Sequence, residues 1–126
     1  MRVEGEASVS FATWRRIHRG ASATVALLAA VHMLLTLRLY QEWAADALWF
    51  LTAGLGLFLL AVVNWAHVGL EPCPQPTAPV VRWANYVYVL LGAAALAAVP
   101  EPQAVLLVAS LAAQAVAGRA TLKGPA

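Results

Sequence analysis

Cysteine is almost absent from this 126-residue chain. Cys73 is the single thiol, which excludes an internal disulfide framework and leaves no second cysteine to share a metal with it. Charge is scarce too: Asp, Glu, Lys and Arg make up 11% of the residues, against roughly 25% in an ordinary soluble domain. No acidic residue lies inside an apolar run, Asp46 standing at the edge of one. That removes the usual coupling carboxylate of a proton-driven small exporter. HExxH, GxSxG and CxxC motifs, a glycine-rich phosphate loop and an Asp-rich metal motif are all missing, so neither an enzyme nor a metal site is expected. The small net charge of +2 comes from basic residues that flank apolar runs instead of forming a patch, and no nucleic-acid partner is expected. The run after Arg15, Arg16 and Arg19 ends in Thr36-Leu37-Arg38 without a small-x-small site, which does not fit a cleaved signal peptide.

What the chain has is apolar length. Hydrophobic residues make up 62% of it, more than a soluble core of this size could hide. The stretch Asp46–His67 carries no charge between Ala47 and Val63, and its 22 residues would rise roughly 33 Å as a helix, enough for a hydrocarbon core of ~30 Å. Three further runs complete the pattern. The expected spans are about 20–39, 46–67, 81–99 and 103–118, inside an integral-membrane domain covering 20–119. Residues 1–19 form an interfacial N-terminal segment with Phe11 and Trp14 at headgroup level, and 120–126 form a tail. Asp46 is the expected N-cap of the second span. Residues 69–79 hold four of the seven prolines and are expected to form an extended connector. The fourth span, at about 16 residues or roughly 24 Å, is short unless its helix runs on to Leu122.

Seven of the eight basic residues fall in the N-terminal segment, at the edge of the connector or in the C-terminal tail, and Arg38 stands alone on the other side. The positive-inside rule then gives an all-α, four-helix transmembrane bundle, up-down-up-down, with both termini on the cytoplasmic side of a bacterial-type inner membrane.

Few polar residues interrupt these spans. His32 lies about halfway along the first, on the face that also carries His18, Ser22 and Thr36, and should point inward. Asn64, Trp65, His67, Trp83 and Asn85 gather at one height near the connector as a polar-aromatic layer, a candidate pocket for a small molecule or lipid headgroup. Gln114 lies one turn from Ser110 on the fourth span. Thr52, Gly54 and Gly56 mark the expected helix-packing surface of the second span. His18 and His32, 14 residues apart, have a spacing that resembles di-haem cytochrome b helices, and His18 and His67 would meet at the same ends of adjacent spans.

The expected function is a non-catalytic structural, interaction or accessory protein of the membrane, packed with itself or with a larger membrane-protein partner and requiring no cofactor. One alternative is a small transporter or channel using His32, Asn64 and Gln114. Another is a redox subunit binding haem b or quinone through His18, His32 and His67.

Overall fold

The computed structural model describes residues 10–40, 45–69 and 75–122. Cys73, the turn residues Gln41 to Trp43 and Lys123 lie outside them, as does everything before Ser10. The described chain is all-helical: α1 (Phe11–Leu39), α2 (Ala45–Gly69), α3 (Ala78–Ala98) and α4 (Pro102–Thr121). Each helix is long and apolar enough to cross a membrane.

The helix ends are set by capping chemistry more than by hydropathy. α1 begins well before the apolar run, because the Ser10 side chain accepts a hydrogen bond from the Thr13 backbone N–H at 3.3 Å and no glycine or proline interrupts Phe11 to Arg19. His18 therefore sits inside a helix. Asp46 lies within the first turn of α2 and not at its cap, where its carboxylate still meets the positive end of the helix dipole. α3 starts at Ala78 with Pro79 in its first turn, a place where the missing proline N–H costs nothing. α4 has 20 residues, about 30 Å long. It continues past the expected end at Gly118, since Arg119 in the last turn is exposed and complements the negative end of the dipole.

α1 and α4 make the most extensive inter-helix contacts, α1 against α2 and α4, and α4 against α3, while α2 and α3 meet along a much thinner seam. The apolar core consists of Val25, Leu60, Ala61 and Leu111, with Leu57, Tyr88, Val89 and Leu107 packed around it. Glycines bring the backbones close. A Cβ on Gly54 would stand 2.7 Å from Met33 Cγ and 3.5 Å from the Ala29 carbonyl of α1, and one on Gly56 would stand 2.5 Å from the Tyr88 hydroxyl of α3. The two glycines thus serve different helices. Thr52 is exposed, and its hydroxyl returns to the Leu48 and Trp49 carbonyls of its own helix. Large apolar side chains cover the outside, among them Leu27, Leu34, Trp49, Leu55, Leu90 and Leu106.

Candidate functional site: a buried polar layer

Five side chains, at least one from each helix, meet in a continuous hydrogen-bonded layer. His18 comes from α1, Asn64 from α2, Asn85 from α3, and Gln114 and Thr121 from α4. The first four are at most 1% exposed.

One backbone group sets the direction of the layer. The Leu60 carbonyl can only accept, so the amide that meets it at 2.9 Å must present nitrogen, Asn64 Nδ2. Asn64 Oδ1 is then turned toward α1 and α3. Asn64 and Asn85 form a reciprocal amide pair, Asn64 Nδ2 donating to Asn85 Oδ1 at 2.8 Å and Asn85 Nδ2 donating to Asn64 Oδ1 at 2.9 Å. Asn85 Oδ1 also accepts from Gln114 Nε2 at 3.0 Å, which fixes the Gln114 amide and leaves its Oε1 buried without a partner. On the other side, His18 Nε2 lies 2.7 Å from Asn64 Oδ1 and must carry the hydrogen. His18 Nδ1 lies 2.6 Å from Thr121 Oγ1, which is itself 2.9 Å from the Ala117 carbonyl.

Gly118 makes room for this arrangement. A Cβ there would stand 3.3 Å from Asn85 Nδ2 and 3.7 Å from His18 Cε1, so the position lies between the two polar groups that the layer joins. One turn along α1 from His18, the Ser22 hydroxyl is buried and unpartnered.

The remaining polar residues sit in separate settings. His67 Nδ1 donates to the Val63 carbonyl at 2.9 Å, which leaves Nε2 as the acceptor for the Thr77 hydroxyl at 2.7 Å, and the ring fastens the end of α2 to the start of α3. Arg15 donates to the Val68 carbonyl at 3.2 Å, and the Arg19 guanidinium lies 5.9 Å from the centre of the exposed Trp65 ring. Trp83 is exposed and meets Tyr86 edge-on, ring centres 6.0 Å apart. His32 is half-buried, donating from Nε2 to the Phe50 carbonyl of α2 at 3.1 Å, while the Thr36 hydroxyl goes to the His32 backbone carbonyl.

His18, Asn64, Asn85 and Gln114 thus come together, whereas His32, Trp65, His67 and Trp83 each stand apart from the layer. Thr121 and Gly118 also belong to it. Their signal was the spacing Gln114, Gly118, Thr121, four and then three residues, which puts all three on one helix face. Among the described residues, no group of three or more His, Cys, Asp or Glu is placed to hold a metal ion. Chemically the layer offers amide, hydroxyl and imidazole hydrogen bonding, with no thiol or carboxylate in it.

Four apolar helices of spanning length, with His18, Asn64, Asn85 and Gln114 turned inward, fit a multi-pass membrane protein. Comparisons of the chain with protein-family models, with curated proteins and with solved structures find no match.

Proposed function

We propose that this is a small multi-pass protein of a bacterial-type inner membrane, threaded up-down-up-down with both termini cytoplasmic, whose role is non-catalytic: a structural or accessory element that packs with itself or with a larger membrane protein. The observation that carries this reading is the saturation of the Asn64 amide at the centre of the polar layer. Asn64 uses both hydrogens and both lone-pair directions of its amide within the bundle, so the polar groups tie helices together instead of lining a path. The outside is left apolar on all four helices, the surface a membrane partner would need.

Support for the threading comes from the contacts of helix ends: Arg15 near the start of α1 reaches Val68 near the end of α2, and His18 reaches Thr121 at the end of α4. The two rival readings draw on the same side chains. A transport route through His32, Asn64 and Gln114 would join two residues of the layer to a histidine bonded elsewhere, to Phe50. A haem site on His18 or His67 would have to release a ring nitrogen from Thr121, Asn64, Val63 or Thr77.

The test is photocrosslinking in intact membranes from probes placed at Leu55, Leu90 and Leu106. The expected outcome is a discrete adduct with a second copy or with one membrane protein. Adducts with lipid alone, together with solute flux in liposomes or a Soret band in the purified protein, would replace this reading with one of its rivals. Reporter fusions at either end are expected to show cytoplasmic location, and an external signal from the C-terminus would overturn the threading.

A further inference from the structure

His18 sits in a hydrogen-bond setting that accepts either of two charge states. Its Nε2 hydrogen is fixed by the acceptor-only Leu60 carbonyl acting through Asn64. The other nitrogen faces a hydroxyl, and a hydroxyl both donates and accepts. In the neutral ring, the Thr121 hydroxyl turns its hydrogen to Nδ1. In the charged ring, Nδ1–H donates to Thr121 Oγ1, and the hydroxyl hydrogen turns to the Ala117 carbonyl, 2.9 Å away. The two arrangements differ by one proton on the ring and by the direction of a single O–H bond. No heavy atom has to move and no bond to Asn64, Asn85 or Gln114 is lost.

We propose that His18 is a buried, single-sided proton-binding site, loaded and emptied through Thr121. In loading, a proton from water at that end of the bundle bonds to Thr121 Oγ1, the hydrogen already on that oxygen passes to His18 Nδ1, and the positive charge comes to rest on the imidazolium. The hydroxyl is regenerated and the sole net change is one proton gained. Thr121 is the last residue of α4 and only half-buried, while His18 is fully buried, so the hydroxyl is the side of the ring nearer solvent. The opposite side is closed. Asn64 accepts from Nε2–H, but its amide nitrogen holds both of its own hydrogens and passes none onward.

Arg15 lies three residues before His18 and Arg19 one after it on α1, Arg82 lies one turn before Asn85 on α3, Arg119 lies two residues before Thr121 on α4, and the His67 ring on α2 is taken up by Val63 and Thr77. The described carboxylates are far away: Asp46 is 18 residues before Asn64 and Glu101 is 20 before Thr121, about 27 and 30 Å along their helices. Among the described residues, what supports the added charge is dipolar, the Asn64 and Thr121 oxygens and the carbonyl ends of α2 and α4.

The test uses the full chain in lipid bilayers with His32→Gln and His67→Gln, so that His18 is the remaining histidine, and nitrogen NMR of the labelled ring. On lowering the pH from about 8 to about 5, the range in which histidines titrate, Nδ1 is expected to gain a hydrogen while Nε2 keeps its own and helix content stays constant. Thr121→Ser should preserve this uptake and Thr121→Val should abolish it over the same range. The proposal is overturned if Nδ1 stays unprotonated until the helices unfold, or if Thr121→Val takes up the proton as the unsubstituted residue does.

Discussion

The two ends of the α1–α2 contact use different physics. Around His18, α1 and α2 are joined by a side-chain hydrogen bond to Asn64, which continues into α3 and α4. Around His32, the same helices approach through Gly54, whose missing side chain admits Met33 and the Ala29 backbone, and the histidine ring donates to the Phe50 carbonyl. In a bilayer, lipid tails are as apolar as leucine, so helix association rests on close packing and on polar groups that have no better partner. The two ends divide those contributions. The polar end selects which helices meet and in what register, because an unpaired amide in an apolar interior is costly. The glycine end supplies close contact between backbones.

Asn64→Leu should break the comparison most severely. It removes the group to which both His18 and Asn85 are bonded, leaving an imidazole N–H and one amide face buried without partners. The expected loss is about 2–4 kcal/mol in detergent unfolding experiments, from two unsatisfied groups at ~1–3 kcal/mol each with partial repair by rearrangement. A loss comparable with an average interhelical hydrogen bond, ~0.6 kcal/mol, would mean that the layer reorganises freely and specifies nothing.

At the glycine end, Gly54→Ala is expected to cost about 1–3 kcal/mol, the usual range for overpacking. Its new methyl would meet Met33, His32 and backbone, and backbone cannot swing aside. Gly56→Ala should cost less, although the nearest atom is closer. That atom is the far end of the Tyr88 side chain, free to turn along the thin α2–α3 seam. Equal losses for the two substitutions would show that the seam is as tightly packed as the α1–α2 contact. His32→Ala follows, at roughly 0.6–2 kcal/mol for the one inter-helix hydrogen bond it gives up.

The sequence carried the four helices, the inward placing of His18, Ser22 and Thr36 on α1 and the grouping of Asn64 with Asn85, since each depends on hydropathy or on a spacing of three to four residues. The start of α1 was hidden because apolarity reports where a helix meets lipid and not where its hydrogen bonds begin; Ser10 was the signal for that. The separation of His67 from His18 was hidden too. Both lie at the right height, and only packing decides that one ring turns to Thr121 while the other turns to Thr77. Thr121 looked like part of a tail, because Arg119 before it suggested that the membrane had ended.

Thr52→Ala should have the smallest effect, within about 0.5 kcal/mol of zero. The residue is exposed and its hydroxyl bonds only to carbonyls of its own helix, so the substitution removes no link between helices, and alanine is the better helix former. Thr121 is the instructive opposite, its hydroxyl within hydrogen-bond distance both of a carbonyl of its own helix and of His18 across the bundle. The same residue type is expected to matter in one place and not in the other solely because of that crossing bond. Unfolding of the isolated protein tests this directly. If Thr52→Ala were neutral there but reduced photocrosslinking in intact membranes, the exposed face of α2 would be the one that meets another protein. A loss of more than ~1 kcal/mol in the isolated protein would instead show that Thr52 is covered within an oligomer of this chain.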